Sequence, residues 1–274
     1  MWRCPLCQQS LHPSIRTWRC ENRHAFDEAK SGYLNLLPVQ NKKSRQPGDD
    51  KNMVNARRQF HDAKGYQPLM AALAEIILKH YSGQSAVRLF DAGCGEGSYL
   101  GYIVKALQGP ELKVNASGCD IAKHAVDLAA KRYKNCHFAV ASSAYLPLDD
   151  SSQDVVLQVF APGSNSEYQR VIAPGGLLIA VDPAENHLWS IKKPIYDNPR
   201  QHKVEFAKRA GFSQLIEQRL SFTVDLTDPQ TRQGLLEMTP YYWRLPQDEA
   251  QARFADIHQV EADFVIHVWQ REHS

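Results

Sequence analysis

The sequence predicts an α/β fold, a Rossmann-like doubly wound sheet with a small N-terminal zinc-binding domain in front of it. Three observations predict it. Cys4, Cys7, Cys20 and His24 are spaced C-x2-C-x12-C-x3-H, strand-like and helix-like segments alternate from Ala86 to Val181, and the glycine-rich run Asp91-Ala92-Gly93-Cys94-Gly95-Glu96-Gly97 falls between the first such strand and the first such helix. Two close pairs of donors separated by a loop can close a tetrahedron around Zn²⁺, each pair on its own turn. His12 lies inside that loop and reads as a surface residue. Alternating strands and helices mean parallel βαβ units.

Taken in order, residues 1–48 form the zinc module, 49–85 a helical linker and 86–274 the Rossmann-like domain. In the linker, Met53, Ala56 and Phe60 recur at helical spacing and Pro68 opens a second helix. Beyond it the pattern predicts strand over 86–92, helix over 98–108, strand over 113–119, helix over 122–133 and strand over 137–140. Strand over 154–160, helix over 167–172 and strand over 177–181 follow. Farther on, a helix over 202–210 closed by Gly211, a strand within 214–226 and a final strand over 264–270 complete the sheet, the last one inserted antiparallel. Tyr241-Tyr242-Trp243-Arg244 reads as a packing cluster.

No apolar run approaches the ~20 residues a membrane helix needs, and the start of the chain lacks the charged-then-apolar pattern of a signal peptide. Thiolate metal ligands, with Cys94, Cys119 and Cys136 in apolar runs as core thiols, fit a reducing compartment, so a cytoplasmic protein is expected. The net charge of +2 is unevenly spread: residues 1–65 hold twelve Lys/Arg against six Asp/Glu, which leaves twenty against twenty-four in the rest. A basic module beside an acidic domain suits a polyanionic partner. Arg16, Arg19 and Arg23, and then Lys42, Lys43 and Arg45 in a loop ending at Pro47-Gly48-Asp49, offer donors to phosphates. Trp2, Trp18, Phe26 and Tyr33 are interleaved with them and read mainly as the miniature core of the metal domain.

In a doubly wound sheet the ligand sits beyond the carboxyl ends of the strands, where the first strand feeds a glycine turn and a helix N-terminus. Gly93, Gly95 and Gly97 allow a close backbone approach there. Glu96 places a carboxylate where a pyrophosphate would be disfavoured and an ammonium group welcome. Asp120, ending the second strand of the domain, is placed to bind the two hydroxyls of a ribose.

These residues, together with Tyr168-Gln169-Arg170-Val171-Ile172-Ala173-Pro174-Gly175-Gly176, resemble the class I S-adenosylmethionine-dependent methyltransferases. The wider pattern resembles the RlmA family of large-subunit (23S) rRNA guanine-N1 methyltransferases. It comprises the zinc motif, Phe26-Asp27, Gly32 to Leu37, Pro47-Gly48-Asp49, Met53, Ala56-Arg57-Arg58, Gly65 to Leu69, Met238-Thr239-Pro240 and His267 to Gln270. The resemblance implies methyl transfer from S-adenosylmethionine to N1 of a guanine in an rRNA hairpin, with Zn²⁺ holding the recognition module. It also implies cofactor contacts at Tyr66, Gly95, Glu96 and His187. The loop Asp182 to Asn186 departs from the family in carrying two acids. Asp182, at a strand end, and the His187 imidazole are the candidate bases for the guanine N1 proton, Asp182 being favoured for its strand-end position. Two alternatives stand beside this reading: a small-molecule methyltransferase of quinone type, and a non-catalytic zinc-dependent RNA-binding protein. The oligomeric state, a homodimer included, is left open.

Overall fold

The computed structural model describes residues 2–41, 47–109, 112–195, 199–202, 208–239 and 242–273. The metal-binding stretch builds a three-stranded antiparallel sheet from β1 (His12–Ser14), β2 (Thr17–Arg19) and β3 (Ala25–Asp27). It ends in β4 (Tyr33–Asn35). Two helices follow, α1 (Lys51–Asp62) and α2 (Gln67–His80). Asp50 caps the first by accepting hydrogen bonds from the N–H groups of Asn52 and Met53, and Pro68 sits in the first turn of the second, where its missing N–H costs nothing.

The alternation read from the sequence then appears as β5 (Ala86–Ala92), α3 (Ser98–Leu107), β6 (Lys113–Asp120), α4 (Lys123–Arg132), β7 (Cys136–Val140), β8 (Gln153–Val159), α5 (Asn165–Val171) and β9 (Ile172–Pro183). The chain closes with α6 (Trp189–Lys192), β10 (Phe212–Asp225), α7 (Pro229–Glu237), α8 (Gln247–Phe254) and β11 (Gln259–Arg271). The helix expected over 202–210 falls mostly on 203–207, outside the described residues.

One eight-stranded sheet runs β10-β11-β9-β8-β5-β6-β7-β4. β11 is antiparallel to both its neighbours, as expected, and β4 through β9 pair in parallel. Because side chains alternate across a strand, Val87 and Leu89 of β5 enter the core on one face of the sheet and Phe90 and Ala92 the core on the other. Burial on both faces explains why β5 and β9 read as nearly continuous apolar runs.

The zinc module is sewn into this sheet. β4 extends it beyond β7, with Tyr33 opposite Phe138, and so covers what would be an open edge. Trp2 is 1% exposed and meets Phe90 edge-on, ring centroids 6.4 Å apart. Polar ties flank it: the Arg3 N–H donates to the Pro147 carbonyl (2.9 Å), the Arg3 guanidinium pairs with Asp150 (2.7 Å), and Ser10 Oγ donates to Asp149 (2.9 Å). Trp2 and Tyr33 are thus core residues, as read, but the core they enter is that of the large sheet. Trp18 and Phe26 stay half-buried against it.

Candidate functional site: an acidic cavity and a cysteine–histidine cluster

A cavity of about 970 Å³ opens at the carboxyl ends of β5, β6 and β8. This is the point where the strand order reverses, with β6 and β8 on opposite sides of β5, and there the loops part to leave a crevice. The turn after β5 is tied to β6 by the N–H groups of Gly93 and Cys94, which both donate to the Cys119 carbonyl at 2.9 Å. Gly93 has φ +95°, and a Cβ there would stand 2.4 Å from the Cβ of Ala161. Glycine is therefore required by the backbone conformation and by the loop after β8, which presses on the turn.

Three carboxylates surround this turn. Asp120 lies at the end of β6, accepting from the N–H of Gly95 (Oδ2, 2.9 Å) and of Ala122 (Oδ1, 2.8 Å). Glu96 is 2% exposed, and both its oxygens are engaged: Oε1 with His61 Nδ1 at 2.9 Å, Oε2 as acceptor from Ser98 Oγ at 2.8 Å. Burial would raise its pKa, but those bonds and the nearby Arg57 outweigh it and hold the carboxyl below the usual range. Asp91 differs. It is 1% exposed, its Oδ1 has no hydrogen-bond partner among the described residues, and burial, then the charges of Asp120 and Glu96, push its pKa up to about 8. A buried, unsatisfied acid among like charges is a site that favours a cation.

The sequence reading assigned the cation to Glu96. In the fold Glu96 lines the cavity while engaged by His61, which α1 carries to the turn, and Asp91 lines the same cavity. Asp91 was the signal overlooked, though it is the last polar residue before the glycines. Tyr66, Gly93, Gly95, Glu96 and Asp120 all line the cavity, with Arg57, His61, Tyr99 and Phe160 as lining residues to which no site role was given from the sequence. His187 is not among the described lining residues. It packs behind them, 4.6 Å from the Phe264 ring and 6.0 Å from Tyr66, its Nδ1 accepting from the Asp263 N–H at 3.3 Å. Burial, then the nearby His202, lowers its pKa to about 3, so the ring is neutral. Asp182 is exposed at the end of β9, within electrostatic reach of Arg209 and Tyr168, and is likewise not among the described lining residues.

In the N-terminal module, one donor atom from each of Cys4, Cys7, Cys20 and His24 lies within 4.8 Å of the rest. Cys7 and Cys20 sulfurs are 3.6 Å apart, and His24 Nδ1 stands 3.5 Å from the sulfurs of both Cys4 and Cys20. Three thiols and an imidazole converging without a disulfide fit a tetrahedral structural Zn²⁺. His12 is exposed on β1, outside the cluster. Cys94, Cys119 and Cys136 are buried free thiols, their pKa values raised chiefly by burial, consistent with inert core residues. Arg16, Arg19 and Arg23 are all exposed on the surface of the module. Lys42, Lys43 and Arg45 lie outside the described residues. Tyr242 is buried and Trp243 partly exposed, a packing pair at 5.4 Å; Tyr241 lies outside the described residues. No helix among the described residues is long and apolar enough to cross a membrane.

Comparison with known proteins agrees with this division. Residues 2–45 match the family model described as "RlmA, N-terminal", and residues 89–176 match that of a "Methyltransferase domain". YxjB of Bacillus subtilis (strain 168), a candidate 23S rRNA (guanine-N(1)-)-methyltransferase, is 34% identical over 284 residues, covering 97% of this chain and 96% of its own. The 23S rRNA (guanine(748)-N(1))-methyltransferase of Streptomyces fradiae is 32% identical over 266 residues, 94% of this chain and 92% of its own. The cavity at the glycine turn, the cysteine–histidine cluster and kinship over nearly the full length agree: the chain belongs to the RlmA family of 23S rRNA guanine-N1 methyltransferases.

Proposed function

We propose that this protein methylates N1 of a guanine in a hairpin of 23S rRNA in the cytoplasm, using S-adenosylmethionine. The observation that carries the reading is Asp91: a buried carboxylate with one oxygen lacking a hydrogen-bond partner among the described residues, lining a cavity large enough for a nucleoside, is a receptor for the ammonium of an amino-acid moiety. Asp120 would take the ribose hydroxyls, its two oxygens already aligned by Gly95 and Ala122. Tyr66, Gly93 and Gly95 would shape the wall against the cofactor. Arg57, held by Asp49 at 2.5 Å, is the one lysine or arginine among the described lining residues and would meet the cofactor carboxylate. Glu96 would act at one remove, fixing α1 to the turn through His61. His187 would contribute by backing Tyr66 and Phe264.

When bound, the cofactor supplies a methyl group activated on a sulfonium. The protein's part is to bring the base to it. Guanine N1 carries a proton at neutral pH, so a base must accept that proton before or during transfer. Asp182 is the carboxylate the sequence offers, and Asp182→Asn tests whether it reaches the substrate. With S-adenosylmethionine and RNA affinities unchanged, a base would be revealed by a single-turnover rate lower by ~10²–10⁴. An unchanged rate would place the proton acceptor elsewhere.

The zinc module and its arginines would grip the hairpin backbone, with Lys42, Lys43 and Arg45 adding phosphate contacts. The decisive experiment offers labelled S-adenosylmethionine together with 23S rRNA lacking the modification, or with a lipid extract, and maps product by reverse-transcription stops, since a methyl on N1 blocks Watson–Crick pairing. Label in rRNA with a discrete stop supports the reading. Label in the lipid extract alone would indicate a quinone-type substrate, and no transfer with intact RNA binding would indicate a non-catalytic role.

A further inference from the structure

We propose that Phe160 is the platform on which the guanine to be methylated stacks, displayed to the cavity by a strained turn that the fold clamps from behind. The proposal rests on the reading of this chain as a guanine-N1 methyltransferase. Phe160 follows β8 with φ +52°, in the left-handed region that bulky residues avoid because Cβ crowds the following carbonyl. The residue lines the cavity and is 43% exposed. A large aromatic side chain left partly in water on a penalised backbone calls for a reason outside the folding of the chain, and such outliers gather at functional sites.

The turn is held from outside the cavity. The Phe160 N–H donates to the Val181 carbonyl at 3.1 Å, and Gln158 Nε2 donates to the carbonyl of Ala161 at 2.8 Å. Gln158 Oε1 accepts from Arg209 at 3.2 Å, and the Arg209 guanidinium lies over the Trp269 ring at 4.5 Å. The ring leans edge-on to Tyr99 (6.3 Å), which also lines the cavity, and tilts against the buried Phe264 (5.3 Å), which together fix its plane.

Strand order then gives the ring its task. Asp91 and Asp120 reserve the ends of β5 and β6 for the cofactor, so the remaining approach to the transferable methyl is over β8, on the other side of β5. A guanine entering there has left its own stack and needs an aromatic face to replace it.

The test compares Phe160→Leu, Phe160→Tyr and Phe160→Gly, the last of which removes the ring while relaxing the left-handed backbone. Single-turnover transfer to limiting 23S rRNA should fall about 10–100-fold in Phe160→Leu and Phe160→Gly, the range that loss of one base–aromatic stack implies. Phe160→Tyr should stay within about threefold of wild type, and all three should bind S-adenosylmethionine as wild type does in calorimetry. Phe160→Leu working at the wild-type rate, or Phe160→Tyr failing as badly as Phe160→Leu, would overturn the platform. Failure of the wild-type protein to methylate 23S rRNA at all would instead overturn the underlying reading, and the platform with it.

Discussion

The cavity at the glycine turn and the metal module solve the same problem, holding a few side chains at fixed separations, by different means. Around the cavity, positions are set by apolar burial: Leu89, Phe90, Leu100, Leu157 and Ile179 are wholly buried, and the carboxylates ride on strand ends anchored by that core. In the module, β1 is exposed throughout and β2 and β3 are at best half-buried, so four donor atoms do the work of a core. A region held by burial yields gradually to substitution, whereas one held by ligands yields all at once. The module combines both habits, because its outer sheet depends on metal while Trp2 and β4 depend on the large core.

The sharpest way to break the comparison is to remove the metal. Structural Zn²⁺ in small domains contributes apparent binding energies of about 10–16 kcal/mol, which is their folding energy. Cys7→Ala or prolonged chelation should therefore abolish rRNA methylation, by more than ~10²-fold, while calorimetric affinity for S-adenosylmethionine changes little. Equal loss of both would mean that the module and the cavity are one cooperative unit. A second test addresses the other anchor. Trp2→Ala should cost about 3–5 kcal/mol in urea unfolding, the penalty of emptying a buried aromatic site, although the residue lies in a segment that resembles an appendage. A cost under about 1 kcal/mol would show that the module docks only through β4.

The smallest expected effect concerns Asp91. Asp91→Asn should weaken S-adenosylmethionine binding by roughly 10–100-fold, as for loss of one charge-assisted contact, and leave the fold intact. The sign of its pH dependence follows from a pKa raised to about 8 in the folded state. Between the ordinary carboxylate range and pH 8 the folded protein without cofactor keeps a proton that the unfolded chain has released, so stability falls as pH rises through that window and levels off above it. Cofactor binding should strengthen over the same window and expel the proton, measured as a buffer-dependent calorimetric enthalpy. Asp91→Asn should erase both trends, and a mutant that retains them would assign the titration to another group.

Much of this was legible in the sequence where the information is local. β5 spans Ala86–Ala92, the same bounds that apolar periodicity predicts, and the ligand spacing of Cys4, Cys7, Cys20 and His24 marks out the cluster found. What was not legible depends on partners distant in the chain. The pairing of Glu96 with His61, 35 positions earlier, is one such contact. Tyr33-Leu34-Asn35 is too short to announce itself as a strand, and its pairing with β7 is a tertiary fact. Phe160 reads as the last residue of a strand, since nothing local reveals its left-handed backbone; the Gln158–Arg209 clamp that sustains it joins residues 51 apart.

The pairing of β4 with β7 also bears on how the molecule is made. Chains emerge N-terminal end first, so the cysteine–histidine cluster is complete well before Phe138 exists for Tyr33 to pair with. Long-range parallel pairing is slow to nucleate, because the closure entropy of the intervening loop is lost before any contact repays it. A metal-bound module would wait on the nascent chain with its strand unpaired and its tryptophan in water, then close over the sheet as one of the last steps. Closure of the metal-bound end would in that way report that the catalytic domain behind it had already folded.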